Sequence, residues 1–281
     1  MAGRRILITG ATRGLGLATA RQLWAAGASL ALVARSQEAL DRLRIEWQAE
    51  GSDRWWSLAA DLADPGTPAR IAEALGVAGW GALDGLVNNA GIIGPIGPAW
   101  ENDPGEWQRA LQVNLLAPAA LCRLLLPAMP PGAAIVNLSG GGATSPRPNF
   151  SAYATAKAGL VRFSENLAQE AAARGVRVNA VAPGAMNTEM LEAVLRARPE
   201  QVGREFERAI EQKSKGGVAP ERAAELVVYL LSPASVGITG RLISAVWDPW
   251  PKLAEYAADM AGGDIYTLRR ITPEDRGKQW N

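Results

Sequence analysis

The chain has 281 residues, of which 48% are hydrophobic and 20% charged, and its formal net charge is +1. This length suits one large α/β domain or two small ones, and the balanced charge gives no basis for a nucleic-acid or membrane-surface partner. There is no histidine and one cysteine, Cys122, which excludes a Ser-His-Asp triad, a histidine base and cysteine-rich zinc sites, so we predict no metal site. A single cysteine and the lack of a signal-like segment after Met1 favour a cytoplasmic protein.

Short apolar strands alternate with amphipathic helices along the chain. Strands are predicted at 5–9, 29–34, 56–60, 84–87, 133–138, 176–182 and 241–246, and helices at 14–26, 37–50, 107–129 and 151–174. This alternation indicates one doubly wound α/β domain, with a parallel sheet covered on both faces, over residues 1–246. The charged residues 185–217 are predicted to be a mobile segment. Residues 247–281 are predicted to be a C-terminal extension that packs on the domain or on a partner subunit.

A glycine-rich stretch, "TGATRGLG" (9–16), separates the first strand from the first helix. Gly10, Gly14 and Gly16 permit a sharp turn and let a pyrophosphate approach backbone N–H groups at the helix N-terminus. Three glycines alone are also compatible with an ordinary turn. Their position at the first strand–helix junction of a doubly wound pattern favours a dinucleotide site.

The end of the second predicted strand bears on which dinucleotide is bound. An NAD site usually has an acid there for the ribose 2′-hydroxyl, but this chain has "LVARS", with Arg35 and no acid. Arg13 lies within the glycine-rich stretch. Because guanidinium groups match phosphate oxygens, the pattern favours NADP(H), although both residues also suit an ordinary surface.

Tyr153 and Lys157 lie four residues apart on a predicted helix and therefore share one face. A phenol titrates near pH 10, and a nearby cation favours its ionised form. In a chain without histidine, this pair is a candidate proton donor and acceptor. The alternatives are a half-buried tyrosine with its hydroxyl in water and a solvated lysine.

Four stretches together resemble the short-chain dehydrogenase/reductase family of the classical type, over residues 5–246. They are "TGATRGLG" (9–16), "NNAG" (88–91), "YATAK" (153–157) and "APG" (182–184). The resemblance implies a single Rossmann-like domain with about seven parallel strands. It also implies hydride transfer between a nicotinamide cofactor and a carbonyl or alcohol.

The same resemblance implies roles for individual residues. Tyr153 would be the acid/base, Lys157 would bind the nicotinamide ribose and lower the pKa of Tyr153, and Asn114 would anchor a proton-relay water. The residues expected to bind the cofactor are Gly10, Thr12, Arg13, Gly14, Leu15, Gly16, Arg35, Asp61, Leu62, Asn88, Ala90, Gly91, Tyr153, Lys157, Pro183, Gly184 and Thr188.

The chain departs from the family pattern at one catalytic position. Family members usually have a serine thirteen residues before the tyrosine, whereas this chain has Gly140 there and Ser139 one residue earlier. A residue looped out among the following glycines would restore the serine to its place, so we favour Ser139 as catalytic. In the alternative, Ser139 only caps the strand and a backbone N–H holds the oxyanion.

Two regions are expected to influence the substrate. The segment after Gly184 is expected to form an amphipathic lid, with attraction of an anionic substrate as a less favoured alternative. Trp247 and Trp250 could stack on a sugar-like or cyclic substrate, but we favour packing against the domain or a neighbouring subunit.

The leading functional prediction is NADPH-dependent reduction of a ketone or aldehyde, or the reverse oxidation of a secondary alcohol. The alternatives are a non-catalytic NADPH-binding regulator and an epimerase or dehydratase that uses bound cofactor. The resemblance also implies a homodimer or homotetramer, with a small carbonyl or alcohol as the substrate and no nucleic-acid or membrane partner.

Overall fold

A seven-stranded, all-parallel sheet forms the centre of the computed structural model, which describes residues 1–48 and 54–280. The strand order is β3-β2-β1-β4-β5-β6-β7, as in a Rossmann-like fold, which confirms the predicted fold class. The strands are β1 (Arg5–Thr9), β2 (Ser29–Ala34), β3 (Trp55–Ala59), β4 (Gly85–Asn88), β5 (Ala134–Leu138), β6 (Arg177–Ala182) and β7 (Leu242–Ser244).

Helices cover both faces of the sheet because the central strands are apolar on both sides. One face packs against α1, α2 and α10, and the other against α3, α5 and α6. The helices are α1 (Gly14–Ala25), α2 (Gln37–Gln48), α3 (Thr67–Val77), α4 (Pro104–Leu111), α5 (Ala117–Leu125), α6 (Ser151–Glu170), α7 (Glu189–Arg196), α8 (Pro199–Val202), α9 (Glu205–Lys215), α10 (Pro220–Leu231) and α11 (Ala257–Met260).

The predicted helix at 107–129 is interrupted in the structure. A π-helical turn, Gln112–Leu116, separates α4 from α5, and a 3-10 turn follows at Leu126–Ala128. Single π turns inside helices often occur at functional sites. The helix predicted at 37–50 is α2, and residues 49 and 50 lie outside the described part of the chain.

The segment 185–217 contains α7, α8 and α9, and its expected mobility stays a prediction. Its apolar residues form their own small cluster with Phe150, separate from the cores of the two sheet faces. Each of these short helices is amphipathic and buries its apolar face against a neighbouring loop, which explains why a charged segment is helical. The cluster contains Phe150, Leu191, Val194, Val202 and Ala209.

The C-terminal extension packs on the domain. Trp250 is buried against Tyr229, with ring centroids 5.7 Å apart, and its indole N–H donates to the carbonyl of Ala245 at 3.3 Å. Trp247, in contrast, is 85% exposed. The backbone N–H of Leu242 in β7 donates to the carbonyl of Tyr266 at 2.8 Å, so the extension also lies along the last strand of the sheet.

One helical stretch among the described residues, Pro104–Ala128, is long and apolar enough to cross a bilayer. Half of the most apolar 18-residue stretch of this segment is buried inside the fold, where α5 contacts α3. Core helices of folded domains meet the same length and composition criteria, so the burial accounts for the apolar sequence.

Candidate active site

The candidate site lies at the carboxyl ends of β1 and β4, where the strand order reverses. In open parallel sheets, this reversal leaves a crevice in which ligands bind. The glycine-rich loop after β1 and residues 88–91 after β4 meet there. The start of α7 also reaches the loop, since a β-carbon added at Gly14 would lie 3.8 Å from Cγ2 of Thr188.

Close backbone packing explains why two positions of the loop must be glycine. Gly10 has a φ of +66°, in the left-handed region that favours glycine. A β-carbon added at Gly16 would lie 2.1 Å from the carbonyl oxygen of Gly10 and 2.5 Å from Nδ2 of Asn89. The first turn of α1 is therefore pressed directly against the loop backbone.

The backbone N–H groups of residues 12–16 have no hydrogen-bond acceptor among the described residues. They include the first turn of α1, where a helix has unpaired donors and a partial positive charge. An open backbone cradle with free N–H groups fits the pyrophosphate of a dinucleotide. This arrangement agrees with a phosphate site among Gly10, Thr12, Gly14, Leu15 and Gly16, which stays a prediction.

Asn89 holds this loop in place, a role that we did not predict. Its side-chain amide donates to the carbonyl of Thr9 at 2.8 Å and to that of Gly10 at 3.1 Å. The Thr9 hydroxyl accepts from the N–H groups of Asn89 and Ala90, both at 3.1 Å. The repeated asparagine in "NNAG" was the only signal in the sequence.

The residues expected near the adenosine lie at the same edge of the sheet. Arg35 is exposed directly after β2, and Asp61 is exposed just after β3. The Asp61 carboxylate accepts from the N–H of Ala63 at 3.0 Å, and Leu62 is buried beside it. Arg13 forms an exposed ion pair with Glu189 at the start of α7.

Asn88 is directed into the layer between the sheet and α6 rather than towards solvent. Its amide donates to Oδ1 of Asn137 at 2.8 Å, and Nδ2 of Asn137 donates to the Ser164 hydroxyl at 2.8 Å. This buried chain of hydrogen bonds connects β4, β5 and α6. Any contact of Asn88 with a cofactor must therefore use its backbone.

The turn after β6 contains the other predicted contacts. Pro183 is buried, and Gly184 has a φ of +89°. A β-carbon at Gly184 would lie 2.6 Å from Cγ2 of Val246, so only glycine fits this turn. Thr188 directly precedes α7 and thus faces the glycine-rich loop across the crevice.

Tyr153 and Lys157 are both buried on α6, with the ammonium 5.8 Å from the centre of the phenol ring. The Lys157 ammonium donates to the carbonyl of Leu138 at 2.7 Å. Burial raises the pKa of the Tyr153 phenol, and the positive charge of Arg147 opposes this rise. This rise in pKa is opposite to the lowering that we expected Lys157 to cause, because removal of the phenolate from water outweighs the positive charge of Arg147.

Asn114 lies in the π-helical turn and has no exposed surface. Its amide donates to the carbonyl of Ile92 at 2.8 Å, and its Oδ1 accepts from the N–H of Ile92 at 3.0 Å. A β-carbon at Gly91 would lie 2.9 Å from this Oδ1 and 3.6 Å from the Lys157 ammonium. Asn114, Gly91 and Lys157 thus meet at one point, and the predicted relay role of Asn114 stays a prediction.

Ser139 and Gly140 have different surroundings. The Ser139 hydroxyl is buried and has no hydrogen-bond partner among the described residues. A β-carbon added at Gly140 would lie only 2.2 Å from the Tyr153 hydroxyl. Position 140 is therefore the one that faces the phenol, while the catalytic role of Ser139 stays a prediction.

Burial of Lys157 leads to a stability prediction. Its pKa is lowered from 10.5 to about 8 by desolvation, so the buried ammonium costs about 3 kcal/mol at neutral pH. We expect Lys157→Met to raise the free energy of unfolding at pH 7 by about 1–2 kcal/mol, since the lost hydrogen bond to Leu138 offsets part of the gain.

The pH dependence of this difference in stability follows from the depressed pKa of Lys157. Between pH 8 and 10.5, only the unfolded wild-type chain keeps the proton, so wild-type stability rises with pH and the advantage of Lys157→Met disappears. Urea unfolding at several pH values measures this, with the exposed Lys252→Met as the control. A Lys157→Met protein less stable than wild type at pH 7 would contradict the prediction.

Fold and site together define a Rossmann-type dinucleotide-binding protein with a buried Tyr–Lys pair at its nucleotide crevice. A family model described as enoyl-(acyl carrier protein) reductase matches residues 10–245. The short chain dehydrogenase mpl6 of Monascus purpureus is 34% identical over 253 residues, covering 88% of this chain and 82% of the relative. The 3β-hydroxysteroid dehydrogenase 1 of Eggerthella lenta is 36% identical over 242 residues, covering 85% and 90%.

Solved structures agree with these relatives. A structure of actinorhodin polyketide ketoreductase with NADPH superposes with a TM-score of 0.76 at 28% identity, covering 87% of this chain and 97% of the other. The chain therefore belongs to the short-chain dehydrogenase/reductase family of the classical type, and it is an oxidoreductase of that family.

Proposed function

We propose that this protein is an NADP(H)-dependent reductase of a ketone or aldehyde, which also oxidises the corresponding secondary alcohol. The observation that supports this most is the buried Tyr153 side chain, next to Lys157 and at the same edge as the glycine-rich loop. The relative that acts on a hydroxysteroid and the ketoreductase with NADPH give independent support.

Tyr153 supplies the proton in this proposal. When NADPH is bound it supplies a hydride to the carbonyl carbon. The Tyr153 hydroxyl donates its proton to the carbonyl oxygen, which leaves a phenolate that regains a proton from water. Because burial raises the pKa of the phenol, the neutral form that donates a proton predominates at neutral pH. The site is thus suited to reduction, and oxidation requires a higher pH.

Other residues position the reacting groups. Lys157 is held by the Leu138 carbonyl, and its charge stabilises the phenolate as it forms. The two hydrogen bonds between Asn114 and Ile92 hold the loop after β4 next to Lys157. The residues that would hold the nucleotide are the glycine-rich loop, Arg13, Arg35, Asp61, Leu62, Ala90, Gly91, Pro183, Gly184 and Thr188.

Preference for NADPH over NADH is the part of the proposal that depends on Arg35. A charge-assisted hydrogen bond to the 2′-phosphate contributes about 1.5–3 kcal/mol. We expect Arg35→Asp to reduce the ratio of kcat/KM for NADPH to that for NADH about 10- to 100-fold. Steady-state kinetics with both cofactors measure the ratio.

The control for Arg35 is Arg174→Asp, because Arg174 is an exposed arginine near the amino end of β6, at the opposite edge of the sheet. We expect Arg174→Asp to leave the ratio of kcat/KM for NADPH to that for NADH unchanged. An unchanged ratio in Arg35→Asp, or equal efficiency of the wild type with NADH and NADPH, would contradict the preference for NADPH.

The reaction itself is tested by loss of NADPH absorbance with a panel of ketones and aldehydes, including cyclic and steroid ketones. Turnover with at least one carbonyl supports the reductase. Cofactor binding without turnover would indicate a regulator instead. Conversion of substrate without net consumption of NADPH would indicate an epimerase or dehydratase.

We also propose a cytoplasmic homodimer or homotetramer that joins through the helices containing Asn114 and Tyr153. Leu116, in the π-helical turn, is 52% exposed and provides apolar area on this surface. Leu121 and Leu125 are buried in the domain itself, so they belong to its core.

A further inference from the structure

Arg147 lies beside the phenol, in the loop between β5 and α6. Its Cζ is 5.4 Å from the ring centre of Tyr153 and 4.2 Å from that of Phe150. Its Nε and Nη2 both donate to the carboxylate of Glu205 on α9, at 2.9 and 2.7 Å. Both partners are largely buried, with side chains 19% and 29% exposed. Stacking and a two-point ion pair therefore hold this guanidinium in one orientation.

The third nitrogen of Arg147, Nη1, has no hydrogen-bond acceptor among the described residues. It lies 3.9 Å from the position of a β-carbon at Gly141. The neighbouring Gly140 faces the Tyr153 hydroxyl, where any β-carbon would be only 2.2 Å away. No side chain at position 140 or 141 thus separates the free edge of the guanidinium from the phenol.

Gly142 supports the same arrangement. It has a φ of +92°, and an added β-carbon would lie 2.7 Å from the β-carbon of Ala154 and 3.1 Å from that of Arg147. Only glycine lets the loop fold closely over the first turn of α6 and bring the Arg147 side chain to the phenol.

We propose that Arg147 is a second catalytic hydrogen-bond donor, whose Nη1 edge holds the substrate carbonyl oxygen next to the Tyr153 hydroxyl, where Gly140 provides no side-chain donor. This inference rests on the proposed reductase function. A guanidinium aimed at the oxygen on which negative charge develops stabilises the transition state. Glu205 acts as the positioning residue that orients Arg147 from the lid.

The charged groups around the phenol are Lys157 on α6, Arg147 on the loop and Glu205 on α9. The positive charge of Arg147 lowers the pKa of Tyr153, and Glu205 neutralises part of that charge. Removal of Arg147 should therefore raise the pKa of the phenol, whereas removal of the Glu205 charge should lower it. A tie between loop and lid that leaves the guanidinium away from the phenol predicts no such pair of opposite shifts.

The test compares Arg147→Gln, Arg147→Lys and Glu205→Gln in the full-length protein. The matched control is Glu192→Gln, which removes a lid glutamate that pairs with Lys213 at 2.9 Å, in an exposed ion pair between α7 and α9. The measurements are kcat and KM for the carbonyl, NADPH affinity by fluorescence, and the pH dependence of kcat/KM. NMR of the Tyr153 ring carbon, assigned with Tyr153→Phe, follows the phenol titration without turnover.

We expect Arg147→Gln to lower kcat about 10²-fold with unchanged NADPH affinity, and Arg147→Lys, which keeps the charge and the partner Glu205, to recover part of the loss. The phenol pKa and the alkaline limb of the pH profile should move up in Arg147→Gln, move down in Glu205→Gln and stay in place in Glu192→Gln.

Wild-type kcat in Arg147→Gln, or phenol titrations that shift in the same direction in both variants, would overturn the proposal. A folded Arg147→Lys variant as active as wild type would overturn the need for the planar guanidinium. The phenol titration also distinguishes failure of this proposal from failure of the proposed function. A wild-type protein that turns over no carbonyl contradicts the reductase function. Absence of opposite phenol shifts contradicts the role of Arg147.

Discussion

Tyr153→Phe is expected to lower kcat by about 10²–10⁴-fold, the range that loss of a positioned proton donor produces. The hydroxyl is the only part of the side chain that is lost, and the ring keeps its buried place on α6. NADPH affinity should stay within a factor of about two, because the phosphate cradle lies on α1 and its loop. Stopped-flow turnover and fluorescence titration measure the two quantities.

The control for this prediction is Tyr256→Phe, since Tyr256 is a half-exposed tyrosine in the C-terminal extension. It should turn over at the wild-type rate. Wild-type kcat in Tyr153→Phe would show that another group supplies the proton, and the assignment of the acid would then be wrong.

Gly16→Ala is expected to abolish nucleotide binding and to destabilise the protein. The added carbon would lie 2.1 Å from the Gly10 carbonyl oxygen, and backbone, not a flexible side chain, would have to move. Overpacking of this kind costs about 1–3 kcal/mol, and the shift would widen the gap between the loop and α1. Thermal unfolding and NADPH titration check the two effects.

A matched helical glycine is available at Gly76 in α3, where an added β-carbon meets nothing within 4 Å. Gly76→Ala should leave nucleotide binding unchanged and stabilise the protein by up to about 1 kcal/mol. Tight NADPH binding by Gly16→Ala would contradict the description of the loop as a phosphate cradle.

The strands were predictable because each is a short apolar run that ends at a turn, and all seven were found within about two residues of their expected ends. The fold class followed from their alternation with helices. The π-helical turn at Gln112–Leu116 was not predictable, because the apolar pattern of 107–129 continues through it without a break.

Long-range contacts account for most of what sequence reasoning missed at the site. The spacing of Tyr153 and Lys157 predicted a shared face but not the depth of burial that raises the pKa of the phenol. The ion pair of Arg147 and Glu205 joins residues 58 positions apart. Nothing local in either segment indicates that α9 folds back over the loop.

Position 140 shows how backbone direction can decide a question that residue spacing leaves open. Ser139 and Gly140 are neighbours, and their distance from Tyr153 along the chain differs by one. Only the structure shows that a β-carbon at position 140 is the one directed at the phenol hydroxyl.

The position of the C-terminal extension has a consequence for solubility. β7 is one of the two outermost strands, and an uncovered outer strand offers unpaired N–H and C=O groups to other chains. The extension prevents this where Tyr266 accepts from Leu242, and the buried guanidinium of Arg241 holds it there through the carbonyls of Gly263 and Ile265 at 2.9 and 2.8 Å. A protein shortened to residues 1–246 is thus expected to expose this strand to pairing with further copies.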